Sequence, residues 1–574
     1  MKKLIIFLTI TAIDFSVYSQ QATNLVPGFK NETFLAKDQK DIYKIKMNKG
    51  DFLEVDIVQK GVDLVIDVFD PKGHELKSFD APNGTQGSEL VKIEARSTGI
   101  FTLEVHPFND PTGRSQSDFI KMLERNQGKY AINSVKILTA KEYRKIVNEE
   151  NKETQKIIQW LTTNSITLNS VSAGSGFDDL LPLKEILKDV QYVGLGEATH
   201  GTSEFFKMKH RMLEFLVKEL GFTVFAIEAS YAGCKNINDY VLYGKGDAYT
   251  SLASQGFWTW DTEEIIDMIE WMRKYNQSVS DDKKVKFTGF DIQVNTKGGG
   301  IGKIKDYLQK VDTIRYNELN VFLDSIESRT NSPKKDSILN VYKNFLSFFV
   351  MSKGNYVQKS SVEEYESTLE YCRVLGQLVD VLFMNSNNPR RRERNWRDYY
   401  MASNFFDMVA HEKPGTKVVM WAHNGHVSHN AARSVNDGLR SIGSYLKEAY
   451  GQAYYAFGFA FNKGGFQAIE ADSTGKSIGL QEFITNPAKE KSLDWYLAQT
   501  NKPLCIFNIR SNNLPVFMNN FVNTPLATRY FGSSADRKSI DQELNNTILN
   551  LDYDGMIFIN ETHRAHPTKT GMRK

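Results

Sequence analysis

Glu197 and His200 stand three residues apart in Gly196-Glu-Ala-Thr-His-Gly201. A carboxylate beside an imidazole is a simple device for moving protons near neutral pH. The apolar run Tyr192-Val-Gly-Leu195 before the pair reads as a strand, and Ser203–Leu220 after it reads as a helix. In that second segment Phe205, Phe206, Met208, Met212, Leu213, Leu216 and Leu220 follow helical spacing. The pair thus lies on a loop at the carboxyl end of a strand, where open α/β sheets keep their ligands.

The pattern recurs. Phe222-Thr-Val-Phe-Ala-Ile-Glu228 ends on Glu228, and Val285-Lys-Phe-Thr-Gly-Phe-Asp291 ends on Asp291. Lys417-Val-Val-Met-Trp-Ala-His423 ends on His423, with His426 and His429 just beyond. Taken singly, each is an ordinary polar residue closing a strand. Parallel strands share one carboxyl edge, however, so four such ends are expected to converge on one pocket.

At these residues the chain resembles the erythromycin esterase family. The matching motifs are Gly196-Glu-Ala-Thr-His-Gly201, Glu-Phe-Phe at 204–206, Lys209-His-Arg211, Glu228, Trp258-Thr-Trp260, Trp271-Met-Arg273, Gly289-Phe-Asp291 and Trp421-Ala-His-Asn424. Their order and spacing fit that family over roughly residues 155–565. The resemblance implies hydrolysis of a carboxylic ester or macrolactone, without cofactor or essential metal, and points to macrolide inactivation. It implies His200 as the base that activates water, with Glu197 and Glu228 beside it and His423 in the same centre. Lys209, Asp291, His426, Trp258 and Trp260 are then expected to bind substrate. The family places an arginine, in some members a lysine, where this chain has Lys209, so the cation is kept without the planar fork.

Two schemes use these groups. In one, Glu197 or Glu228 orients His200, and His423, His426 or Lys209 stabilises the oxyanion. In the other, Glu197, His200, Glu228, Asp291 and His423 bind a divalent metal that activates the water. No His-Glu-x-x-His helix supports the metal scheme, and no Gly-x-Ser-x-Gly elbow supports a serine nucleophile. A non-catalytic exported binding protein is the rival from another class; the intact Glu197, His200, Glu228 and His423 speak against it.

The 574 residues exceed what one core ordinarily holds. With 71 Lys+Arg against 69 Asp+Glu, nothing suggests nucleic acid as a partner. The basic cluster Arg390-Arg-Arg-Glu-Arg394 reads as a solvated helix start or loop. Met1-Lys-Lys, an apolar core at 4–13 and Val17-Tyr-Ser19 form a leader over 1–19 that predicts export to a periplasmic or extracellular site. No later run is long and apolar enough to span a bilayer. Cys234, Cys372 and Cys505 are too few and too scattered for a disulfide framework, and Cys234 reads as a packing thiol.

Residues 20–138 alternate in short runs, such as Phe52-Leu-Glu-Val-Asp-Ile57 and Leu64-Val-Ile-Asp-Val-Phe69, separated by turn signals. That predicts an all-β sandwich. Asp63–Gly73, Ser97–Val105 and Gly128–Ile132 resemble the pre-peptidase C-terminal type of bacterial β-sandwich, which implies an accessory role and a route to envelope association. Asp63, Asp67 and Asp70 read as solvated acids more readily than as calcium ligands. A charged linker helix over 139–155 leads to 156–574, expected as a largely parallel α/β sheet flanked by helices. A helical insertion at about 300–400 is placed to wall the site. Trp258, Trp260 and this insertion predict an apolar pocket for a bulky small-molecule ester. The oligomeric state is not legible.

Overall fold

The computed structural model describes residues 22–571, apart from 81–84, 109–126, 294–299, 328–334, 384–394, 431–439, 472–475 and 511–512. The leader at 1–19 and the Arg390–Arg394 cluster lie outside the described residues. The chain divides into two compact units, Met1–Lys152 and Glu153–Lys574.

The first unit is a sandwich of a five-stranded and a four-stranded sheet. Along Phe52–Lys60 every second residue is buried, so Leu53, Val55 and Ile57 enter a core shared with Leu64, Ile66 and Leu103 of the other sheet. Two of the acids considered for calcium hold protein partners instead. Asp67 Oδ2 lies 2.9 Å from His106 Nε2, and Asp70 accepts the backbone N–H groups of Lys72 and His74.

Thr139 and Glu142 form a capping box that starts the next helix: each backbone N–H donates to the other's side chain, at 2.8 and 3.3 Å. That helix runs Ala140–Asn164, beyond the residue 155 expected from charge alone. It continues because Ile157 and Leu161 extend the apolar stripe and are buried in the core of the second unit. The border between the units falls inside it.

The second unit is built on a nine-stranded sheet. Six strands run parallel in the order Gly555–Thr562, Tyr454–Ala471, Tyr192–Leu195, Val418–Trp421, Val224–Ser230 and Lys286–Asp291. Ser477–Thr485 and Leu504–Asn508 pair antiparallel to their neighbours. The inner strands are buried on both faces, which explains their unbroken apolar runs. Val193, Leu195, Phe225, Ile227, Val419 and Trp421 enter one core, and Tyr192, Val224, Ala226, Val418 and Met420 the other. Helix Ser203–Leu220 covers the first face and ends on Gly221 at φ 72°, a left-handed cap.

Register decides where the strand ends fall. Leu195 and Ile227 both pair with Trp421, so Glu197, Glu228 and His423 leave the sheet side by side. Two motif glycines permit the close approach of neighbouring chain. A Cβ on Gly196 would lie 2.3 Å from Asn424 Oδ1, and one on Gly201 would lie 2.1 Å from the Gln467 carbonyl oxygen.

The insertion after Asp291 is helical as expected, with helices Gly300–Val311, Thr313–Glu327, Lys335–Met351, Lys353–Gln358 and Val362–Phe383 around their own apolar cluster. It returns through helix Trp396–Ala410, whose Phe405 meets Phe290 of the last parallel strand edge-on.

Candidate active site

Glu197 is fully buried and accepts three hydrogen bonds. His200 Nδ1 lies 2.7 Å from its Oε1; Lys209 Nζ at 2.6 Å and the Trp421 indole N–H at 2.9 Å take Oε2. Burial pushes this carboxyl up, but the Lys209 ammonium and His200 outweigh it, and the group stays ionised below its ordinary range. Burial also pulls Lys209 down, to about 8, against the pull of Glu197. Since ionised Glu197 only accepts, His200 carries its proton on Nδ1. Its Nε2 lone pair is left without a partner among the described residues, and the side chain is 13% exposed. Glu197, and not Glu228, is therefore the carboxylate that orients His200.

Glu228 belongs to a second cluster. Its Oε1 receives Arg397 Nη2 at 2.7 Å and faces His426 Nε2 at 3.3 Å, while Oε2 accepts the His423 backbone N–H at 2.9 Å. Burial would raise Glu228, but His426 and Arg397 hold it well below the usual carboxylate range. Arg397 also forks onto Asp291, with Nε 3.1 Å from Oδ1 and Nη2 2.7 Å from Oδ2. On the other side of His426, Nδ1 lies 2.7 Å from Asp398 Oδ1. Burial would lower His426, but Asp398 and Glu228 raise it to about 10, so the ring is a cation at neutral pH. Arg397 and Asp398 escaped sequence reasoning. The signal available was the Trp-Arg-Asp at 396–398, an opposed charge pair opening an amphipathic helix.

Four expected residues take other places than foreseen. Lys209 is wholly buried behind Glu197, with Nζ 4.0 Å above the Trp421 ring, and reaches neither substrate nor oxyanion. Asp291 is spent on Arg397 and does not face a ligand. His423 accepts Gly425 N–H on Nδ1 at 3.2 Å and donates Nε2–H to the Phe531 carbonyl at 3.0 Å, so both nitrogens serve the backbone. Burial, with His200 beside it, lowers His423 to about 3 and keeps it neutral. It is a spacer whose ring sits 4.9 Å from that of His200, not a donor to an oxyanion. Trp260 is buried and stands edge-on 5.8 Å from His200, its indole N–H bonded to the Glu228 carbonyl. Trp258, half-buried on the same turn, makes none of these contacts. His429 turns away toward Asp554.

The site is thus two charged clusters at adjacent strand ends, each presenting one partly exposed imidazole. The family model described as erythromycin esterase matches residues 217–562, more than half of the chain. The chain belongs to the erythromycin esterase family. Erythromycin esterase type II of Escherichia coli is 24% identical over 345 residues, spanning 54% of this chain and 78% of that protein. A crystal structure described as a succinoglycan biosynthesis protein superposes with a TM-score of 0.59 at 25% identity, covering 72% of this chain and 99% of its own. A mutant erythromycin esterase in its open conformation shares the fold, with a TM-score of 0.50 at 15% identity over 67% of this chain and 94% of its own. As a member, this protein is a hydrolase of that family. The matched range begins after Glu197 and His200, so the position of that pair at the site rests on the geometry above.

Proposed function

We propose that the protein hydrolyses a carboxylic ester or lactone by attack of water deprotonated by His200. One observation carries this reading: a half-covered imidazole whose Nδ1 is held by a buried, ammonium-neutralised carboxylate and whose Nε2 faces outward. Glu197 fixes the tautomer and stabilises the imidazolium as it forms. His426, already cationic and 18% exposed, supplies positive charge across the pocket for the oxyanion. The oxygens a metal would need on Glu197, Glu228 and Asp291 are engaged by Lys209, Trp421, Arg397 and backbone N–H, which favours orienting roles over ligation.

A macrolide lactone is the first substrate to test because relatives bear that name. Residues 1–19 read as a leader, so we place the enzyme outside the cytoplasm, with the sandwich as an accessory or envelope-facing module. The test is mass spectrometry of a macrolide and simple-ester panel incubated with wild type and His200→Ala. Gain of one water by at least one substrate, reduced more than ~10-fold in the variant, is expected for loss of a general base. Equal turnover by both proteins would remove His200 from this role.

A further inference from the structure

We propose that His426 and Asp398 form a second imidazole–carboxylate dyad that delivers a proton to the departing alkoxide, His426 being the acid and Asp398 its positioning residue. The proposal rests on the reading of His200 as base and assigns the other half of the proton traffic at that site.

The two dyads match in geometry and differ in charge. In each, a histidine Nδ1 lies 2.7 Å from a buried carboxylate oxygen. Behind His200, Glu197 already has a counter-ion, the Lys209 ammonium at 2.6 Å, so the imidazole need not carry charge. Behind His426, Asp398 receives only neutral donors otherwise: the Ile442 N–H at 2.9 Å and the Asn395 side chain. Its counter-charge among the described residues is His426 itself.

Of the groups facing His426 Nε2, Glu228 at 3.3 Å favours its proton, while Arg397 Nη1 at 3.2 Å, itself a donor, opposes it. That one guanidinium must also serve Asp291. Three carboxylates against a single arginine leave an excess of negative charge that a protonated His426 reduces. His423, on the same turn, is committed to backbone and contributes no charge. Environments that push two neighbouring titratable groups apart mark the base and the acid of a pair.

The proton balance closes. A water O–H bond breaks, its proton passes to His200 Nε2, and the new O–C bond forms at the ester carbonyl. On collapse the C–O bond to the alcohol breaks with its electron pair, and the leaving oxygen takes the proton of His426 Nε2. Exchange with solvent removes the proton from His200 and restores the one on His426. The sum is ester plus water giving acid plus alcohol.

An acid is needed only when the leaving group is poor, and this supplies the test. Ethyl and p-nitrophenyl esters of one acid are compared with wild type, Asp398→Asn, His426→Gln and His200→Ala. Asparagine keeps the oxygen that accepts from His426 and Ile442, removes the charge, and gives up the bond that the other oxygen accepts from the Asn395 side chain. The expected loss of kcat in Asp398→Asn and His426→Gln is at least ~10-fold greater for the ethyl ester than for the aryl ester, with KM little changed. His200→Ala is expected to slow both alike. Equal losses on the two esters in both His426→Gln and Asp398→Asn, or no loss, would overturn the dyad. If His200→Ala is fully active, the base assignment fails while the ester contrast still decides the acid. A wild type inert on both esters would overturn both readings. His426→Gln decides alone if Asp398→Asn does not melt cooperatively.

Discussion

Replacing Lys209 by methionine separates what the buried cation does for folding from what it does for chemistry. Lys209 falls from 10.5 to about 8, so keeping it charged at neutral pH costs about 3 kcal/mol at roughly 1.4 kcal/mol per pH unit. That cost is already net of the attraction to Glu197, and methionine fills similar volume, so Lys209→Met is expected to lose no more than about 2 kcal/mol in a denaturant titration. Catalysis has no such compensation. Glu197 would lose the ammonium that neutralises it beside His200, and kcat/KM at pH 7 is expected to fall by at least ~10-fold. The sign of the stability effect is equally definite. The native state releases the Lys209 proton near pH 8 and the unfolded chain holds it to about 10.5. The unfolded state therefore binds more protons in that window, and wild type gains stability relative to Lys209→Met as pH rises through it. A folded variant with more than half the wild-type kcat/KM at pH 7 would refute the argument.

Exhaustive chelation should leave kcat unchanged on any ester the enzyme cleaves; loss restored by zinc or manganese would shift the assignment to a metal-activated water. A protein beginning at Thr139 retains the capping box and the whole helix Ala140–Asn164, and should melt cooperatively and keep kcat within ~2-fold on a small ester. An inactive but folded truncation would give the sandwich a part in the site.

The sequence made the strand ends legible because a period of two, an apolar run and a terminal polar residue are local signals. Glu197, His200, Glu228, Asp291 and His423 were all placed on one sheet edge by that reasoning, and the charged run from residue 139 was expected to be helical. Locality also set its limits. The linker helix was stopped at 155 on charge, whereas Ile157 and Leu161 extend it by packing on the second unit's core.

What each site residue touches was decided by the tertiary structure alone. Lys209 looked like a substrate cation until helix Ser203–Leu220 packed on the sheet and buried it against Glu197 and Trp421. His423 looked like a donor until the Phe531 carbonyl, more than a hundred residues away in sequence, took its Nε2–H. Arg397 and Asp398 reach the site only because the insertion returns helix Trp396–Ala410 to the end of the last parallel strand. Residue types along a chain determine which proton donors and acceptors exist. Their charge states depend on desolvation and on counter-ions within a few ångströms, and those distances come into being only when distant segments fold together.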